Sequence, residues 1–408
     1  MKKRSILVFA CIVCCIVILS RCIGSKPADP RGPVFAENTS CRNCHQAVYD
    51  GYLSTAHYAT SHIANPTTVL GPFTTPGNIF HFANGDDVVM EKEGEQLYQV
   101  WKQNGVVKDK KEFAIAVGSG RKAQTFLYWQ DGKYFQLPIS YFVTTNQWAN
   151  SPGFPADHPM FDRMIPSTCF GCHSSMVGVQ GKERQGMQEL ELFEKGVMMG
   201  GIDCQRCHGP GAEHVAFHQS NPNERTAHFM TKIDQLTNMQ KLDMCALCHS
   251  GLKPMQRPAF EFKPGDALAD FLMPIPPMRK NVADLDVHGN QMQLLAASKC
   301  FQSSVQTMNC TTCHNPHVKE RDNLAVFATR CMTCHNETSH NECTQKHLGK
   351  EMLVEKCIDC HMPLQASNAI TLLSGSDSTA TPDMIRTHLI AVYKDPAQKI
   401  MAKLPNGK

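Results

Sequence analysis

Cys204-Gln205-Arg206-Cys207-His208-Gly209-Pro210-Gly211-Ala212-Glu213-His214 is the stretch that decides the architecture. Its first five residues read Cys-x-x-Cys-His, and that pentapeptide occurs seven times. The full set is Cys41/Cys44/His45, Cys169/Cys172/His173, Cys204/Cys207/His208, Cys245/Cys248/His249, Cys310/Cys313/His314, Cys331/Cys334/His335 and Cys357/Cys360/His361. With 20 Cys and 19 His in 408 residues, random order predicts about 0.05 copies. The pentapeptide is the attachment signature of a c-type haem. Two thiols add to the vinyl groups of the macrocycle, and the adjoining histidine reaches the iron from one face. Zinc ribbons use Cys-x-x-Cys pairs without an invariant following His, and dithiol oxidoreductases use one pair, not seven. The expected cofactors are seven c-type haems.

A basic start, Lys2-Lys3-Arg4, precedes an apolar run from Ile6 to Leu19, short of the about 20 residues that span a bilayer. Residues 1–22 read as a secretory signal. Leu19-Ser20-Arg21-Cys22 resembles a lipobox, with Arg21 departing from the usual small residue. This points to a lipid anchor at Cys22, against simple cleavage or an uncleaved anchor. The expected location is exported, as a periplasmic, outer-membrane or cell-surface lipoprotein of a bacterium.

The formal charge of +3 falls to about −1 once Lys2, Lys3, Arg4 and Arg21 leave with the signal. Ionised propionates would add about −7 with oxidised haems and about −14 with reduced ones, as an upper bound. An acidic holoprotein argues against nucleic acid and for redox partners with basic docking patches, such as other cytochromes or membrane quinol-oxidising complexes.

The fold expected is α+β: short helices and irregular segments around the haems, with a β-rich meander between motifs 1 and 2. Residues 23–40 read as a tether, 41–69 as a first haem-binding segment, 70–150 as the β-rich insert and 151–408 as a six-haem core. Within the insert, Val88–Glu93, Gln96–Gln103, Val106–Val117 and Thr125–Gln130 read as strands, with hairpin signals at Asn104-Gly105 and Asp131-Gly132. Helices are expected over Gln46–Ser61, Glu183–Met198 and a C-terminal segment holding His388. The Pro-rich Lys263–Pro277 should be extended.

Coordination of the second face separates a carrier from an enzyme. Two imidazoles per iron give a low-spin, low-potential centre suited to electron transfer. By position, His57, His214, His288, His317 and His388 are the first candidates for distal metal ligands. His62, His158, His340 and His347 come next, and His81, His218 and His228 last. Cys300 and Cys343, outside every motif, are a disulfide candidate, the alternative being two free thiols.

Several elements carry a family resemblance. Cys41–His45 followed by Tyr49, Tyr52, Ser54 and His57 resembles the cytochrome c-552/c-554-type family, as does Cys207-His208-Gly209-Pro210-Gly211-Ala212-Glu213-His214. Cys313-His314-Asn315-Pro316-His317, Cys360-His361-Met362-Pro363 and the connection from Gly118 to Gly153 look like recurring multihaem elements. The resemblance implies close-stacked haems and either electron carriage or chemistry on nitrogen and sulfur oxyanions. The Cys-x-x-Cys-Lys motif of nitrite-reducing relatives is absent from this sequence. No catalytic residue is singled out. The leading expectation is an exported relay of electrons through seven haems, most or all with two histidine ligands. The alternatives are an oxidoreductase with one open iron acting on a small nitrogen or sulfur compound, and a subunit of a larger cytochrome assembly.

Overall fold

The computed structural model describes residues 29–274, 281–339, 342–345, 349–373 and 380–402. The signal with Cys22, and the candidate ligands His340 and His347, lie outside the described residues.

The β-rich part is two sheets sharing one core. Sheet one runs β1 (Ser61–Ile63), β6 (Ile115–Val117), β7 (Ala123–Gln130), β9 (Ile139–Phe142), β10 (Gln147–Asn150), with β8 (Lys133–Gln136) also on β7. Sheet two is the meander β2 (Ile79–His81), β3 (Asp86–Glu93), β4 (Gln96–Gln103), β5 (Val106–Glu112). Val88 and Met90 point inward from β3 while Val89 and Glu91 are less buried, the period of two of a half-buried strand. They meet Phe126, Leu137, Ile139 and Trp148 of the other sheet. Buried Gln99 joins the sheets, donating to Ile139 O at 2.7 Å and accepting from Ile139 N at 3.2 Å, so its amide is not left unpaired.

Both hairpin signals form their turns. Asn104 and Gly105 have φ 51° and 77°, and Asp131 and Gly132 have 49° and 75°, the paired positive φ of the tight hairpin turn that matches strand twist. The strand expected over Val106–Val117 is divided instead. Phe113 N bonds Leu97 O and Ala114 N bonds Leu127 O, so the chain crosses between sheets there, with Phe113 buried in the shared core. Sheet one also begins before residue 70, at Ser61.

Four further expectations are corrected. Glu183–Met198 is not a helix: β11 (Ser174–Gln185) and β12 (Gln188–Gly200) form a long hairpin. The run Glu189-Leu190-Glu191-Leu192 alternates, and Leu190 and Phe193 are buried, so strand period wins over helix propensity. The helix after motif 1, α1 (Arg42–Tyr52), ends long before Ser61. Ser54 and Thr55 hydroxyls take the Gly51 and Tyr52 carbonyls, competing with the helical ladder, and His57 sits in the turn beyond. Residues 263–274 fold compactly around a short 3₁₀ turn, Leu268–Asp270, because Leu268 and Phe271 bury in a small core; 275–277 lie outside the described residues. Residues 29–36 are no free tether. Arg31 bonds both Asp29 and Asp203, and Ala36 exchanges two hydrogen bonds with the Gln205 side chain.

The remaining helices are short: α2 (Ser167–His173), α3 (Cys204–His208), α4 (Ala212–Ser220), α5 (Asn238–His249), α6 (Gln291–Ala296), α7 (Lys299–Ser303), α8 (Cys310–Cys313), α9 (Leu324–Met332), α10 (Lys350–His361) and α11 (Lys394–Ala402). A second hairpin, β13 (Leu364–Leu372) with β14 (Thr381–Arg386), precedes His388. His388 follows the strand in a non-helical bend, not in a helix, because Ser298 Oγ holds the passing chain at His388 O and Ile390 N. No helix among the described residues is long and apolar enough to cross a membrane.

Candidate functional site: attachment thiols and paired histidines

Every Cys-x-x-Cys-His pentapeptide makes or ends a helical turn. Helical spacing of three places both thiols on one face, where one planar group can bond both. Local caps fix these turns. Asp203 accepts from Arg206 N at 3.0 Å at the start of α3. Thr237 and Gln240 form a reciprocal cap on α5, and Asn309 caps α8, satisfying the orphan N–H groups of a helix start. Asp203 is itself pinned by buried Arg31. Burial opposes the Arg31 charge, and its bonds to Asp29 and Asp203 more than offset that, so its pKa rises. None of the described motif cysteines is paired in a disulfide.

The histidines are the most informative geometry. Four motif histidines face a histidine from elsewhere in the chain. Ring centroids are 6.4 Å apart for His45 and His214, 5.9 Å for His208 and His317, 6.2 Å for His249 and His57, and 6.1 Å for His314 and His388. An imidazole bound at about 2.0–2.1 Å puts its centroid about 3.1 Å from a metal, so two on opposite faces stand about 6.2 Å apart. The four separations therefore match a metal held between each pair. Each motif histidine directly follows its two thiols, so residues and spacing fit a haem with two axial imidazoles.

Not every expected site residue is enclosed by the chain, and Cys44 and His335 are the clearest departures. Cys44 is exposed, because Tyr52 is the only residue that α1 buries and the turn bearing Cys44 faces outward. His335 is exposed as well. It lies in the turn after α9, a helix that buries only Ala328, and residues 331–339 hold no buried side chain. Cys334 of the same motif and Cys207 of motif 3 are also exposed. At motifs 1 and 6, then, side-chain packing does not by itself form a closed pocket around the thiols and the motif histidine.

Elsewhere the surroundings keep the rings neutral and oriented. Burial lowers the pKa of His57, His173, His208, His249 and His314, with neighbouring histidines adding to it. His388 is pushed down to about 4 by burial, His314 and His249. A neutral imidazole keeps a lone pair for a metal. His214 Nδ1 donates to His228 O at 2.8 Å, and His361 Nδ1 to Ala391 O at 3.0 Å. His173 Nδ1 shares a hydrogen bond with Thr60 Oγ1 at 3.1 Å. Such bonds fix the ring and leave Nε2 for the iron.

His288, the fifth distal candidate, lies close enough to His173 and His249 to lower their pKa. Its loop is fixed by Asp286, which accepts from His288 N, Ser367 Oγ and Ala369 N. Gly289, at φ +82°, lets its carbonyl meet Gly251 N at 2.5 Å, a close approach that glycine permits. Of the other histidines, His218 packs against His214 with ring centroids 4.6 Å apart. His81 pairs with Asp87 and His158 with Asp157 at the surface. His62 stacks edge-on against Tyr58, and His218 and His228 cluster with Phe217.

Cys300 and Cys343 are not bridged; both thiols are free. Cys300 lies near Cys313 and Cys334, whereas Cys343 lies near Cys357 and Cys360, so each belongs beside a different motif. Arg206, Asp203, Arg31 and Thr60 went unmarked in the sequence. The only available signal was Arg206 and Asp203 lying in and next to a motif.

Two comparisons bear on this geometry. Residues 156–209 match the family described as cytochrome c554 and c-prime. The fold is similar to the crystal structure of the outer cell wall cytochrome OcwA, with a TM-score of 0.54 and 14% identity over 90% of this chain and 81% of that one. No curated protein matches the chain. Motif match and fold likeness together support a multihaem c-type cytochrome.

Proposed function

We propose that this chain is an exported seven-haem c-type cytochrome that relays electrons and makes or breaks no substrate bond. The carrying observation is the set of four motif histidines, each opposed by a non-motif histidine at 5.9–6.4 Å. Bound haem iron would supply a one-electron ferric/ferrous couple. The chain's part is to hold and shield it. Paired thiols would anchor the macrocycle, motif histidines would take one face, and His214, His317, His57 and His388 would take the other at motifs 1, 3, 4 and 5. His288 is assigned to motif 2 by its proximity to His173. Filling both faces at these five motifs would leave no position there for a substrate.

Export follows from the N-terminal signal and is supported by likeness to an outer cell wall cytochrome. Lipid anchoring through Cys22 and partners that are themselves redox proteins with basic faces complete the reading. Intact-mass measurement of protein secreted by a host with haem-attachment machinery tests it. Seven haem increments and an acylated Cys22 are expected. Fewer than seven increments contradict the attachment reading, and a mature chain without acyl groups contradicts the anchor.

A further inference from the structure

We propose that the seven motifs form one branched relay in the order 1–3–4–5–6–7, with motif 2 joined as a spur through motif 4. This rests on the haem reading above and adds the route, which sequence order misstates.

The packing of the motif-bearing turns carries it. The turn Asn38–Cys41 packs on α3, joining motifs 1 and 3. Helix α2 packs on α5, joining 2 and 4. Helix α5 packs on α8, α8 on α9 and α9 on α10, giving 4–5, 5–6 and 6–7. The thiols repeat the pattern. Cys41 lies beside Cys204, Cys172 beside Cys248, and Cys245 beside Cys310. Each thiol is the point where a ring edge would be bonded, so adjacent thiols would bring neighbouring ring edges together.

Motif 4 is the junction because its two cysteines face different neighbours. Cys248 turns to motif 2, with its Sγ 3.9 Å from Gly171 O, while Cys245 turns to motif 5. Cys207 of motif 3 lies near both. Arg206 fixes the convergence, donating to Gly171 O and Ala259 O at 2.8 Å each. Motif 3 touches motif 2 through Arg206 and the Gly171 carbonyl, but the thiol beside Cys172 is Cys248 of motif 4. Each transfer oxidises one site by one electron and reduces its neighbour by one, with no bond formed or broken. The relay thus has three ends, at motifs 1, 2 and 7, and three places for one-electron partners.

A structure of the holoprotein by cryo-electron microscopy tests this. Haem count and axial ligands come from the same map, so failure of the cytochrome reading is told apart from failure of the route. The expected result is a motif 4 group abutting those of 2, 3 and 5, with 1, 2 and 7 each abutting one. A motif 2 group lying between those of 1 and 3 overturns the proposal. A rate measurement on variants is the second arm. A photoreductant tethered on α10 is flashed, and arrival at motif 1 is followed in a His214→Met background that marks that group spectrally. Cys245→Ala/Cys248→Ala should abolish arrival at motif 1, and arrival at an unchanged rate in that variant overturns the junction at motif 4.

Discussion

The two-sheet region, residues 61–150, and the motif-bearing region after it obtain their cohesion differently. In the first, Val88, Met90, Phe126, Leu137 and Ile139 have no accessible surface, and one cluster spans both sheets. In the second, α4, which carries His214, and α8, which carries Cys310 and Cys313, bury no side chain at all. A side-chain core is self-sufficient. Helices that bury nothing must be held by something else, and covalent groups and metals take that role where apolar burial falls short. In the proposed reading the thioethers and axial imidazoles hold the second region, and the exposure of His335 belongs to the same pattern.

The largest effect should come from withholding the cofactor. Chain produced without haem attachment should keep slow amide exchange in β3, β4, β7 and β9 and lose it from α2 through α10. Equal protection in both regions would break the comparison. Next, Phe126→Ala should cost about 4 kcal/mol by leaving a cavity between the sheets. Denaturant unfolding followed at the sheet region should show it, with haem content unchanged.

Arg31→Ala probes the link between the N-terminal segment and motif 3. It leaves Asp29 and Asp203 buried without their cation, a loss of about 3 kcal/mol, read as lowered stability around the motif 3 haem. The smallest effect is Gly132→Ala. A Cβ there sits at φ +75° and 3.1 Å from Leu192, a cost of about 1–2 kcal/mol confined to the β7–β8 turn, and the melting temperature should fall slightly with no spectral change.

How much was legible follows the same division. The seven motifs, the α+β class and both hairpin turns were readable because each is a local signal: a pentapeptide, a period, a pair of positive φ positions. Glu183–Met198 misled because its charged and apolar residues satisfy two periods, and packing of Leu190 and Phe193 decided between them. His57, His214, His317 and His388 were legible as candidates. Their partners were not, because each pair joins residues distant in sequence, as His57 does with His249. The same non-local packing brings motif 1 to motif 3 and motif 2 to motif 4, which no spacing rule encodes.

The measurement that bears most directly on the central claim is electron paramagnetic resonance of the fully oxidised holoprotein, followed by reduction and carbon monoxide. The account predicts low-spin signals alone and no carbon monoxide adduct, the second histidines at motifs 1 to 5 being joined by one each at motifs 6 and 7. A high-spin signal with a carbon monoxide adduct would contradict it and put an open, substrate-binding iron in place of the relay.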